Sequence, residues 1–375
     1  MLILETIVLC ILVMVFCLFF VNAVEALAEQ IGLSQTAAGS VLASLGTATP
    51  ETLVPVIAIL FGSSGGGGGH GHDIGVGAIL GAPFMLTTIA LGVVGLTAAI
   101  QVMTGNRKTP YLDLEPGILR NFKFFFVFYP LAIIAALIGS RPLNYALGVF
   151  LLLGYAYFVY TTFKTPEEQA EGEAVAATEE GAEVSSSGHG HGGHEEEEHA
   201  DLWLNKIFRF EEPPVWLSVV QLLGGFVLMA YTIKVFADTL GHLSDAYGIP
   251  AAVLSLVVAP LATELPEVGG ASVFWTARHK DTLALGNITG AMVYQSSIAV
   301  CLGLFLTEWK LTGDVVASIA VALISGGIIF GYYLMKKRLS AWVALSGCFF
   351  YIAYLWYVFS TGAGGGSLSF RAVPF

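Results

Sequence analysis

Glu51, Glu264 and Glu267 are carboxylates in the middle of apolar stretches, within "GTATPET" (46–52) and "LATELPE" (261–267). On insertion scales a charge at the centre of a bilayer costs about 2.5–3.5 kcal/mol, so three of them call for a cation or a proton that neutralises them. Thr47 and Thr263 add hydroxyls close by. A proline inside an apolar helix removes one backbone hydrogen bond and crowds the carbonyl four residues back, which makes carbonyl oxygens available as ligands. Carboxylate, hydroxyl and carbonyl oxygens together are the shell of a hard cation: Ca²⁺ takes about six to eight of them in irregular geometry, whereas Mg²⁺ demands a regular octahedron. The competing reading is that the glutamates are protonated and only bond neighbouring helices. Their recurrence in two places favours an ion.

The elements that must position these residues follow from composition. The chain is 55% hydrophobic and 12% charged, with mean hydropathy +0.76, the balance of a protein with repeated membrane spans and not of a soluble one. Runs long enough to cross a bilayer fall at roughly 2–28, 36–61, 75–103, 119–139, 142–163, 214–241, 248–277, 281–306, 313–335 and 339–360. The expectation is an all-α polytopic membrane protein with ten transmembrane helices. The first apolar run has no basic region before it and no small-residue cleavage site after it, so it reads as a first span and not a leader. The four cysteines (Cys10, Cys17, Cys301, Cys348) all lie in apolar runs, where packing or lipid-facing roles are expected instead of disulfides.

Most of the formal charge of −12 sits in residues 164–212, which hold 14 acidic and 3 basic residues. Outside that stretch the chain is almost neutral, so its charge points to no nucleic-acid partner. The stretch is rich in Glu, Ala, Gly, Ser and His, a composition that favours a solvated loop. It divides the chain into a first half (1–163) and a second half (213–375). With the N-terminus outside, twelve lysines and arginines fall in inner loops and three in outer ones or the C-terminus. The positive-inside rule therefore predicts an outer N-terminus and a cytoplasmic 164–212 loop, in a plasma or inner membrane.

Five spans per half is an odd number, so the halves must cross the membrane in opposite senses, and likeness between them is an inverted repeat. "IGLSQTAAGSVLASLGTATPETLVP" answers to "YGIPAAVLSLVVAPLATELPEVGGA", and "GAILGA" (77–82) answers to "GNITGA" (286–291). Helices two and seven, which carry the proline motifs, are expected to be broken.

On these motifs the chain resembles the calcium/cation antiporter superfamily, the sodium/calcium exchangers and their relatives. Those proteins carry a "GTSxPEL"-like element on spans two and seven and a "GNxxGSN"-like element on spans three and eight. The resemblance covers nearly the whole chain, and two motifs recur twice at matched spacing. It implies an antiporter and not an enzyme, with lipid and transported cations as partners and no cofactor, and it leaves the oligomeric state open. It places the central calcium-binding glutamates on Glu51 and Glu267, with Thr47 and Thr263 as hydroxyl or backbone ligands. Glu264, Gln295 and Asn287 are further oxygen donors in the matching motifs.

The match departs from the family pattern. The serine after the threonine is Ala48 in one half and Glu264 in the other, the serines of "GSN" are Ala82 and Ala291, and the ligand one turn later is Leu86 or Gln295. Oxygens suited to sodium are missing, while a carboxylate is gained. Sodium coupling comes first, and proton coupling through a crowded Glu264/Glu267 pair is its alternative. A transition-metal transporter and a non-transporting sensor on the same scaffold are the other readings, because "GGGGGHGHD" and "SGHGHGGHEEEEH" offer imidazoles. A metalloprotease is disfavoured, since no H-E-x-x-H pair lies within a helix. Lys234 and Asp238, one turn apart in the sixth span, are expected to pair. The first and sixth helices are expected to slide against the rest.

Overall fold

The computed structural model describes residues 1–30, 49–62, 69–112, 114, 116–164, 202–210, 213–265, 268 and 272–362. Among the described residues, eight helices are long and apolar enough to cross a membrane. They are α1 (Leu2–Gln30), α3 (Gly71–Met103), α4 (Pro116–Ile138), α5 (Arg141–Lys164), α7 (Val215–Tyr247), α10 (Asp281–Leu306), α11 (Gly313–Lys336) and α12 (Ala341–Gly362). Two shorter apolar helices, α2 (Thr49–Phe61) and α8 (Ala251–Leu265), carry the glutamate motifs. Two short pieces, α6 (Asn205–Phe208) and α9 (Val273–Ala277), complete the described helices. The run expected at 248–277 is thus divided between α8 and α9. The sixth span, expected to end at 241, continues to Tyr247 and stops where Gly248 takes a left-handed φ of 67°, a C-terminal cap that glycine adopts without steric cost.

Lipid cannot bond backbone amides, so helices satisfy them internally, and burial then sorts the helices. The most apolar windows of α3 and α10 are 83% and 67% buried, against 22–39% for the other six long helices. These two are the interior of the molecule. Around them α1 packs on α7, α3 on α8 and α2, the second part of α3 on α12, and α10 on α4 and α5.

The α3–α8 contact depends on small residues. A Cβ on Gly77 would collide with the Ala252 carbonyl, and one on Gly81 with that of Leu256. Leu256 is the residue whose carbonyl Pro260 relieves of its helical bond, so the glycine seats a backbone oxygen that a larger residue would displace.

Both central helices contain one π turn, at Leu86–Ala90 in α3 and Gln295–Ala299 in α10. Each begins at the same distance after its glycine motif, "GAILGA" or "GNITGA". The carbonyls loosened there are taken by hydroxyls: Thr87 donates to Pro83 (2.8 Å), Ser297 to Val293 (2.6 Å), and Ser325 of α11 to Thr87 (2.8 Å).

At the opposite end of α3 from Gly71, Arg107 grips Asp281 at the start of α10 through two bonds of 2.7 and 2.6 Å. It also donates to the Tyr111 carbonyl (3.1 Å), while Gln101 donates to that of Ala277 (2.7 Å). Beside this clasp, β1 (Tyr111–Leu112) pairs antiparallel with β2 (Leu339–Ser340). The four cysteines are free thiols, Cys17 and Cys301 buried and the other two partly so.

Candidate functional site

Glu51 lies on α2, described from Thr49 to Phe61. Glu51 is buried, 8% exposed. It faces a cavity of about 10 Å³ lined by Val54 and Pro55 of the same helix, Ala78 and Ala82 of α3, and Ala259, Pro260 and Thr263 of α8. That volume admits about one water-sized species. Apart from Glu51 and Thr263 the lining is alanine, valine and proline, so the polar chemistry of the cavity is one carboxylate from the first half facing one hydroxyl from the second. Thr263 donates to the Ala259 carbonyl at 3.5 Å.

The residue after Thr263 turns to the other central helix. Glu264 is fully buried and accepts a short hydrogen bond from the Gln295 side-chain amide. Gln295 heads the π turn of α10, and its Oε1 is buried with no hydrogen-bond partner among the described residues. The matching position in α3, also the head of a π turn, is the fully buried Leu86. Thr88 donates to the Phe84 carbonyl at 2.5 Å and Ser296 to that of Val293 at 3.1 Å, so these hydroxyls are engaged with their own helices.

A hydroxyl pair next to Glu51 also joins the halves. The hydroxyls of Thr52 and Tyr294 lie 2.6 Å apart. The ring of Tyr155, from α5, meets the Tyr294 ring edge to face at 5.6 Å.

Of the residues expected at the site, the structure brings Glu51 and Thr263 to one cavity and joins Glu264 to Gln295. Asn287 is not among them. It is half-buried on α10 about 12 Å along the helix axis before Gln295, and it does not line the cavity. Thr47 and Glu267 lie outside the described residues. Tyr294 and Thr52 were not singled out by the sequence. Thr52 closes the quoted motif, but a threonine and a tyrosine in apolar runs carry no pattern that tells a site from ordinary packing.

Lys234 and Asp238 pair as expected, at 3.7 Å. The histidine next to the glycine-rich stretch, His70, bonds Asp245 at 2.9 Å, linking α7 to the start of α3. Among the described residues no three His, Cys, Asp or Glu side chains gather as a metal cluster. The histidine-rich stretch at 189–199 lies outside those residues.

Comparison with known proteins gives a consistent picture. The sequence model of the family described as "Sodium/calcium exchanger protein" matches residues 1–164 and 217–360. The chain is 22% identical over 350 residues to the putative antiporter CaxA of Alkalimonas amylolytica, covering 90% of this chain and 91% of that one. It is 28% identical over 161 residues to the sodium/calcium exchanger NCL of Arabidopsis thaliana, a match over 40% of this chain and only 26% of the plant protein's length. Among solved structures, an H⁺/Ca²⁺ exchanger, CAX, superimposes with a TM-score of 0.67 at 17% identity, over 96% of this chain and 84% of that one. YfkE does so with a TM-score of 0.58 at 10% identity, over 95% and 90%. These two show a shared fold.

Proposed function

We propose, from the premise that the chain belongs to the sodium/calcium exchanger family, that it is an antiporter moving Ca²⁺ out of the cytoplasm against Na⁺. One observation carries the reading: Glu51 and Thr263, more than two hundred positions apart, line one small cavity between α2, α3 and α8. A carboxylate and a hydroxyl facing each other in hydrocarbon suit a hard cation and nothing apolar. Glu267, three residues beyond Glu264 in the sequence, completes the charge needed for a divalent ion. Mutual exclusion couples the two flows: Glu51 and Glu267 hold either the divalent ion or its counter-ions, and the site opens to one side at a time. For Na⁺ as counter-ion, the Gln295 side-chain oxygen, buried without a partner among the described residues, supplies the kind of neutral donor a monovalent ion uses.

The architecture in this reading is ten membrane helices in two inverted halves, 1–163 and 213–375. Helices two and seven are broken, the N-terminus is outside, and the 164–212 loop is cytoplasmic. The π turns at equivalent places in α3 and α10 support it. The tightly packed pair α1 and α7 is the element that moves.

A second reading, exchange of Ca²⁺ for H⁺, is favoured by the Glu264–Gln295 contact. That contact adds a buried carboxylate where the other half has alanine, at Ala48, and a carboxylate can carry a proton without any further oxygens. Radioactive Ca²⁺ uptake into vesicles, driven in parallel by an outward Na⁺ gradient and by a pH gradient, separates the two. Uptake with Na⁺ alone supports the first reading, and uptake with the pH gradient alone supports the second. Uptake with neither removes Ca²⁺ as the cargo.

A further inference from the structure

We propose that Tyr294 is a positioning residue for the cation site: its hydroxyl, bonded to Thr52, holds the first turn of α2, and with it Glu51, against α10. The inference rests on the reading of the Glu51 cavity as the Ca²⁺ site. Its geometry is a single hydroxyl pair at 2.6 Å between the two halves of the chain.

Adjacent residues on a helix point about 100° apart, so Glu51 and Thr52 address different neighbours. Glu51 faces the cavity toward α8, while Thr52 faces α10. Tyr294 and Gln295 are likewise adjacent on α10. Gln295 holds the Glu264 carboxylate, and Tyr294 holds the residue next to the Glu51 carboxylate. Two successive side chains of one helix therefore fix the surroundings of both described site carboxylates, at the point where that helix enters its π turn. The Tyr155 ring braces Tyr294 from α5, which limits the ring's freedom to swing away.

The repeat offers an internal contrast. In the aligned motifs the counterpart of Tyr294 is Met85 and that of Thr52 is Val268, neither of which has a hydroxyl. The hydroxyl bridge is therefore particular to one of the two aligned motif pairs and is not a feature of the repeat itself. What it adds is preorganisation: a carboxylate already held in place costs the arriving ion less ordering, which improves affinity and not the speed of a later step.

The test is the apparent KM for Ca²⁺ in vesicle uptake for the parent, Tyr294→Phe, Thr52→Val, the double variant and Thr52→Ser. Losing one neutral hydrogen bond corresponds to about a 5- to 10-fold rise in KM, with the maximal rate within about twofold of the parent's. The double variant should be no worse than either single one, because both remove the same bond, and Thr52→Ser should keep the parent's KM. An unchanged KM in Tyr294→Phe, effects that multiply in the double variant, or a raised KM in Thr52→Ser overturns the proposal. If the Val variant fails to fold, Tyr294→Phe, which keeps the ring and loses only the hydroxyl, still decides. A parent that moves no Ca²⁺ defeats the function reading itself, an outcome distinct from a defect confined to the variants.

Discussion

The π turns of α3 and α10 are the same backbone device filled with different chemistry. One opens on Leu86, buried in the apolar core; the other opens on Gln295, bonded to a buried glutamate. Around them the first half contributes Glu51 and a lining of alanines, while the second contributes Thr263, Glu264, Gln295 and Tyr294. The geometry of a π turn in a central helix has been kept twice, and its polar load has shifted to one side. Geometry and ligand identity are therefore separable in this fold: the turn sets where an oxygen can go, and the residue at its head decides whether one is there.

That comparison can be broken in several places. Removing the carboxylate that the first half brings to the cavity, by Glu51→Gln, should reduce Ca²⁺ flux to below about 1% of the parent's in a protein that still folds, because a carboxylate in hydrocarbon is retained only for its ion. If the variant transports normally, the first half holds no ligand and the cavity is packing. Arg107→Ala tests the clasp between the halves. It leaves Asp281 buried without its guanidinium and should cost about 3–5 kcal/mol of stability, read as an earlier thermal transition in detergent. Gln295→Leu copies the first half's chemistry into the second and takes from Glu264 a bond of about 1.5–3 kcal/mol. The expected signature is a changed ratio of Na⁺-driven to pH-driven uptake, since Glu264 loses the amide that holds it. The reciprocal change, Leu86→Gln, places an amide where no carboxylate answers it in sequence. It should lower stability by about 1–3 kcal/mol and leave the KM for Ca²⁺ unchanged.

Much of this was legible in the sequence, for reasons that can be stated. Apolar runs of span length mark helices because lipid leaves the backbone no other partner, so the bounds of α1, α4, α5, α11 and α12 fall within a few residues of the expected ones. Glutamates in such runs are conspicuous because they are expensive, which singled out Glu51 and Glu264. What stayed hidden has the opposite character. A π turn leaves no periodicity, since one extra residue in a helix alters hydrophobic spacing no more than ordinary variation does. The extension of α7 to Tyr247 was masked by polar residues that read as a loop. Tyr294 and Thr52 look like membrane-span residues until the fold sets them 2.6 Å apart. Asn287 has a matching motif and does not line the cavity beside Glu51.

The exchange mechanism stands most directly on whether charge at Glu51 carries the flux. Radioactive Ca²⁺ uptake should be measured side by side for the parent and Glu51→Gln, in vesicles of matched protein content under whichever gradient drives the parent. The expected result is gradient-dependent uptake by the parent and background uptake by the variant, with both proteins giving the same thermal transition. Equal uptake by the two would contradict it.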